Sequence, residues 1–98
     1  MNEYHIDNQK LTCVFYGRLD TLGSQAVDAE LSAKLDASVQ EVVFDLKEVA
    51  YISSSFLKIC LKTVHNTGSN HFSIVHVSPG VLKVFQIANL NHLIRINE

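Results

Sequence analysis

The sequence predicts an α/β fold, a mixed sheet of four to five strands with helices packed against it. Segments with the two-residue period of a strand alternate along the chain with segments that have the i, i+3, i+4 spacing of a helix. Apolar residues make up 47% of the 98-residue chain and charged residues 18%, which is enough apolar side chain for one core. We therefore expect residues 1–98 to form a single domain.

Two strands and one helix are predicted in the first forty residues. Tyr4–Ile6 and Lys10–Leu19 are the strand segments, and the second is rich in β-branched and aromatic residues. Gly17 would permit a bulge near its end. An amphipathic helix of about four turns follows, with Thr21 or Ser24 as its N-cap. Its apolar stripe consists of Val27, Leu31 and Leu35, flanked by Ala26, Ala29, Ala33 and Ala37.

The next strand, Glu41–Val49, is predicted to lie in the centre of the sheet because both of its faces carry apolar residues. One face would carry Val42, Phe44 and Leu46, and the other would carry Val43 and Val49 together with Asp45 and Lys47. A second helix follows three serines, and its apolar stripe is Leu57, Cys60, Leu61 and Val64. Gly68 is the residue expected to end it.

A strand over His71–Ser78, a third helix and a short last strand indicated by Leu93, Ile94 and Ile96 complete the predicted order β-β-α-β-α-β-α-β. Ser78 is expected to cap the third helix, with Pro79 as its first residue. Such an order favours parallel strands joined by right-handed crossovers. The functional edge of a sheet of this kind lies beyond the carboxyl ends of its strands.

Charge and hydropathy argue against nucleic-acid and membrane binding. The formal net charge is −2, and the eight Lys and Arg residues are scattered rather than clustered as phosphate contacts require. Apolar runs are only a few residues long, far below the roughly 20 that a membrane span needs. The N-terminus lacks the pattern of a signal peptide. We therefore expect a cytoplasmic protein in which Cys13 and Cys60 are buried free thiols.

Motifs for metal or covalent catalysis are not found in the sequence. The five histidines lack the spacing of known metal sites, and His71 and His76 would point to opposite faces of their strand. No Gly-x-Ser-x-Gly elbow marks a serine hydrolase, and no glycine-rich loop marks a phosphate site. We expect neither a metal nor a cofactor, and no enzymatic activity.

The most informative segment is Ser53-Ser54-Ser55, which joins the end of the central strand to a helix. One serine there can cap the helix, and the others can lie in a solvated turn. Alternatively, a serine at this electropositive helix end can accept a phosphate or contact a ligand. Position alone leaves both interpretations open.

Four blocks of the sequence resemble the STAS domain family, the anti-sigma factor antagonists of bacteria. Phe44-Asp45-Leu46 followed by Ser53-Ser54-Ser55-Phe56-Leu57 resembles the family's strand and its Asp-Ser-Ser-Gly-Leu segment, whose second serine is phosphorylated. Gly17-Arg18-Leu19-Asp20 resembles a block after the family's second strand. Val77-Ser78-Pro79 and Leu93-Ile94-Arg95-Ile96 resemble its last strand–helix junction and its closing segment. Nearly the whole chain is covered.

The resemblance implies a non-catalytic regulatory protein with a STAS-like fold. Ser55 falls on the phosphorylated position, with Ser54 as second choice, and the implied partner is an anti-sigma-type serine kinase. Phosphorylation would switch its binding. The implied partner surface comprises Arg18, Asp20, Ser53, Ser54, Ser55, Phe56 and Leu57.

Two positions depart from the family pattern. Ser53 replaces the acidic residue, and Phe56 replaces the glycine. Phe56 would either pack locally or form part of the partner patch. Arg18 and Asp20 would either dock the partner or serve as a surface ion pair and a helix cap, and Asp45 would either bond the serine loop or face solvent.

Two alternatives to the phosphorylation switch stay open. One is a STAS scaffold that is never phosphorylated, a subunit of a signalling or transporter-associated complex. The other is a sensor that binds a small anionic ligand at the serine-rich helix start.

Overall fold

The computed structural model describes residues 2–98. The strands are β1 (Glu3–Asp7), β2 (Lys10–Leu19), β3 (Glu41–Ile52), β4 (Phe72–Val75) and β5 (Arg95–Ile96), and the helices are α1 (Thr21–Lys34), α2 (Ser54–Thr67) and α3 (Pro79–Ile87). The strands form one sheet in the order β1-β2-β3-β4-β5. β1 is antiparallel to β2, and all other neighbours are parallel. The predicted mixed α/β fold is confirmed.

One core on one face of the sheet receives residues from all three helices. Each helix connects a strand to its parallel neighbour, and right-handed crossovers in one direction across a sheet place their helices on the same face. Val27 of α1, Phe56 of α2 and Phe85 of α3 belong to the same buried cluster as Phe15 and Phe44 of the sheet. The three helices therefore begin along a single edge, at the carboxyl ends of β2, β3 and β4.

The start of α1 differs from the prediction. Asp20, rather than Thr21 or Ser24, is the N-cap, and its carboxylate accepts a hydrogen bond from the Gly23 N–H at 2.9 Å. An oxygen on the residue before the first helical turn can reach this N–H group, which has no partner within the helix. The helix ends at Lys34, before the last alanine of the predicted stripe.

The end of α2 and the start of α3 agree with the sequence. Gly68 follows α2 with a φ of 91°, a conformation that suits a residue without a Cβ. The Ser78 hydroxyl accepts a hydrogen bond from the Val81 N–H at 3.3 Å, and Pro79 is the first residue of α3. Both helix boundaries predicted from these residues are confirmed.

β3 runs three residues further than predicted and contains two bulges. Relative to β2, β3 has one extra residue opposite Phe15 and a second extra residue after the partner of Gly17. Each extra residue reverses the face on which the following side chains lie. Val49 therefore joins the core cluster with Leu46, and the prediction that it shares a face with Val43 is wrong.

β4 is shorter than the predicted strand His71–Ser78. His76 has a φ of 59°, in the left-handed region that a strand cannot continue through. The strand accordingly ends at Val75, and neither His71 nor His76 is part of it. β5 is likewise confined to Arg95–Ile96.

Five aromatic rings form the centre of the core. The Phe56 ring centroid lies 5.8 Å from that of Phe15 and 5.9 Å from that of Phe44. Phe44 in turn stacks edge-on against Phe72 at 4.8 Å, and Tyr4 contacts Phe15 at 6.2 Å. Phe56 is 0% exposed, so its side chain does not form part of a partner-binding patch, contrary to that prediction. The alternative expectation, that it packs locally, is the one observed.

We expect Phe56→Ala to lower the free energy of unfolding by about 3–5 kcal/mol, because it removes a ring from the middle of a packed cluster. Leu22→Ala is the matched control, since Leu22 is 77% exposed and should change stability by less than about 0.5 kcal/mol. Urea denaturation of the two variants measures the difference. Equal losses in both would contradict the core position of Phe56.

Both cysteines should resist alkylation in the folded protein. Burial raises the pKa of the Cys13 thiol to about 12, and burial also raises the pKa of the Cys60 thiol. Since the thiolate is the reactive form, iodoacetamide at pH 8 should leave the native chain unmodified. In denaturant both thiols should react, which intact-mass measurement would show as two added groups. Rapid modification of the native chain would contradict this burial.

Candidate functional site at the start of helix α2

The carbonyl oxygen of Leu19 joins the segments that build the site. It accepts hydrogen bonds from the Ser53 N–H at 3.0 Å and from the Ser53 hydroxyl at 2.8 Å. The buried hydroxyl of Ser24 donates to the same oxygen at 3.3 Å. The end of β2, the first turn of α1 and the start of α2 are thus fixed to one another.

Ser53 occupies the N-cap position of α2 but does not cap the helix with its side chain. Its hydroxyl points to Leu19, and it forms no hydrogen bond with the first turn of α2 within the described residues. The interpretation in which a serine caps this helix therefore does not hold for Ser53. The hydroxyl acts instead as a link between α2 and β2.

Ser54 and Ser55 lie in the first turn of α2 with hydroxyls available to solvent. Ser54 is exposed, and Ser55 is half-buried. Among residues 2–98, neither hydroxyl takes part in a side-chain hydrogen bond, in contrast to those of Ser24 and Ser53. Phe56, the next residue, points into the core and does not cover them.

The Ser55 side chain lines a groove of about 240 Å³ between α1 and α2. The groove is bounded by Ser24, Gln25 and Asp28 of α1 and by Ser55, Lys58, Ile59 and Lys62 of α2. At its far end the Lys62 Nζ lies 3.4 Å from the Asp28 carboxylate. Ser55 therefore lies on a groove that is also lined by two lysines, Lys58 and Lys62.

The other predicted contact residues lie on the same edge of the sheet. The Arg18 guanidinium lies over the Tyr51 ring, 4.3 Å from its centroid, whereas Asp20 is the cap of α1. The predicted ion pair is thus replaced by a cation–π contact. Leu22, in the first turn of α1, exposes 77% of its surface, and Tyr51 exposes 40%. These two residues were not among the predicted contact residues, although each lies two positions from a motif block.

Asp45 lies away from the site, because it pairs with Val14 and Val75 several residues before the end of β3. The Asp45 carboxylate accepts a hydrogen bond from the Lys47 N–H at 3.0 Å and lies 3.0 Å from the His76 Nδ1. Neither contact involves the serine loop. Leu57 is half-buried against the core, so only part of its side chain can reach a partner.

Among residues 2–98, no helix combines the length and apolar character needed to cross a membrane. Within the same residues, His, Cys, Asp and Glu side chains do not gather in a group of three that could hold a metal ion.

The family model described as "Mlab, STAS domain" matches residues 4–95. This chain belongs to the STAS domain family. A relative named "Putative anti-sigma factor antagonist BtrV", from Bordetella bronchiseptica, is 29% identical over 85 residues, which are 85% of this chain and 72% of the relative.

Solved structures of STAS proteins share this fold. The structure of the anti-sigma factor antagonist SpoIIAA in its unphosphorylated form superimposes with a TM-score of 0.82 at 17% identity, covering 98% of this chain and 87% of that one. An anti-sigma factor antagonist from Mycobacterium paratuberculosis gives a TM-score of 0.88 at 19% identity, with coverages of 99% and 84%. The resemblance of the four sequence blocks to the STAS family is therefore confirmed.

We expect Ser53→Ala to lower the free energy of unfolding by no more than about 1 kcal/mol. The substitution removes the hydroxyl bond to Leu19, but that carbonyl keeps its bonds from the Ser53 N–H and the Ser24 hydroxyl. Thermal or urea unfolding would measure the loss, with Ser54→Ala as a control at an exposed hydroxyl. A loss of several kcal/mol would show that the hydroxyl does more than link α2 to β2.

Proposed function

We propose that this STAS protein is a non-catalytic, cytoplasmic regulator that binds an anti-sigma-type serine kinase and is released when Ser55 is phosphorylated. The observation that carries the proposal is the unpaired Ser55 hydroxyl at the start of α2, in a groove open to solvent. The names of the relatives support a role as an anti-sigma factor antagonist. One solved relative, SpoIIAA, is described in a phosphorylated form.

The partner surface in this proposal surrounds Ser55 along the edge of the sheet. It comprises Arg18, Asp20, Ser53, Ser54 and Ser55, with the exposed part of Leu57 at its margin. Leu22 and Tyr51 supply the apolar area that such a contact needs, since aromatic and arginine side chains dominate binding at the centres of interfaces. Phe56 supports this surface from below by anchoring the first turn of α2 in the core.

Phosphorylation changes the charge of this surface. The Ser55 oxygen would attack the γ-phosphorus of ATP, the bond to ADP would break, and a base of the kinase would take the hydroxyl proton. The product adds about −1.5 to −2 charges at the centre of the contact. A partner would then have to desolvate this group or meet it with a like charge, and both oppose binding.

We expect Ser55→Asp to weaken binding to an anti-sigma-type serine kinase of the same genome about a hundredfold, equivalent to roughly 3 kcal/mol. Ser55→Ala should bind within about threefold of the unchanged chain, because it adds no charge. Calorimetry of the purified pair measures both constants. Ser69→Asp is the matched control, because it adds a carboxylate at an exposed serine outside the partner surface and should leave the affinity unchanged. Equal affinity of the two Ser55 variants would contradict the switch.

Incubation with the same kinase and ATP identifies the acceptor residue. Intact mass should increase by one phosphate in the unchanged chain and in Ser54→Ala, but not in Ser55→Ala. Binding without phosphate transfer would instead favour a STAS scaffold that is never phosphorylated. The replacement of the family's acidic residue by Ser53 and of its glycine by Phe56 supports that second candidate.

A further inference from the structure

The groove between α1 and α2 is lined by two lysines that the proposed binding mechanism does not use. Lys58 is exposed, and both it and Lys62 line the groove together with Ser55. Lys62 contacts the Asp28 carboxylate at 3.4 Å. No side-chain hydrogen bond or ion pair involves Lys58 within residues 2–98.

Ser55, Lys58 and Lys62 follow one stripe of the helix surface. Residues at i, i+3 and i+7 lie on the same face of an α-helix, and long side chains there lean towards the helix N-terminus. With a rise of 1.5 Å per residue, the Lys58 Cα lies about 4.5 Å and the Lys62 Cα about 10.5 Å further along the axis than that of Ser55. Because they lean towards the N-terminus of α2, the side chains of Lys58 and Lys62 extend towards a group carried by Ser55.

We propose that Lys58, assisted by Lys62, binds a phosphate on Ser55 inside the groove between α1 and α2. This inference rests on the proposed phosphorylation of Ser55 and adds the side chains that receive the modification. Lys58 forms the direct ion pair, because it is one turn away and has no competing carboxylate among the described residues. Lys62 divides its charge between the phosphate and Asp28.

The bound phosphate would change two features of the surface at once. The new anion occupies the part of the groove beside Ser55, and the two ammonium groups are then paired within the chain. An acidic segment of a partner would lose both the space and the cations that it could contact in the unmodified protein. Because the two lysines pair with the phosphate, its effect on partner binding is confined to the groove.

The test uses the full chain with phosphoserine inserted at position 55 during synthesis, and it follows the phosphate by phosphorus NMR between pH 4.5 and 8. Phosphoserine loses its second proton near pH 6, and a nearby ammonium group favours the dianion and so lowers this pKa. Lys58→Gln should raise the measured phosphate pKa by about half a unit. Lys62→Gln should raise it by a smaller, still measurable amount.

Lys83→Gln is the matched control, because Lys83 is an exposed lysine of α3 outside the groove. It should leave the phosphate pKa unchanged, and Lys58→Arg should retain most of the effect of the native lysine. Identical phosphate pKa values in Lys58→Gln and Lys83→Gln would overturn the proposal. Because no kinase is used, this result is independent of whether a kinase phosphorylates Ser55 in the mass-spectrometric assay.

Discussion

The hydrogen bonds to the Leu19 carbonyl are the constraint on which the site depends. This one oxygen receives donors from the start of α1 and from the start of α2. A carbonyl at the end of a strand would otherwise need a water or a further strand as its partner. Here it fixes the two helix starts side by side, and their spacing creates the groove that Ser55 lines.

Adjacent residues in the first turn of α2 have opposite roles. Phe56 is enclosed by the rings of Phe15 and Phe44, and Ser55 opens to the groove. The position that holds glycine in the family pattern is therefore used here for packing, without closing access to the serine. A modification at Ser55 would act on a helix turn that is already anchored from inside, so the change would be confined to the surface.

The sequence allowed the fold and the location of the site to be predicted because both rest on local signals. The Ser78-Pro79 pair and Gly68 define helix ends by backbone geometry alone, and the serine segment carried the family resemblance. The direction of Phe56 was left open because the predicted stripe began at Leu57. Starting the stripe one residue earlier would have placed Phe56 on the same face as Ile59 and Cys60.

Features that depend on contacts between distant segments could not be predicted. The two bulges of β3 exist only in its pairing with β2, which involves residues some thirty positions apart. The cation–π contact of Arg18 with Tyr51 and the bond from Ser53 to Leu19 also require that pairing. The groove lysines had no motif to mark them, because their relation to Ser55 depends on how α1 packs beside α2.

The paired bulges decide which chemical groups of β3 enter the interior. In a regular strand continuing from Leu46, Glu48 would face the core and Val49 would face water. The first extra residue exchanges these two positions, so the Glu48 carboxylate stays out of the apolar core. The second extra residue restores the original alternation, so Ile52 again faces the core. Straightening either bulge while keeping its extra residue would put the strand and the following helix out of phase, turning Ile52 outward.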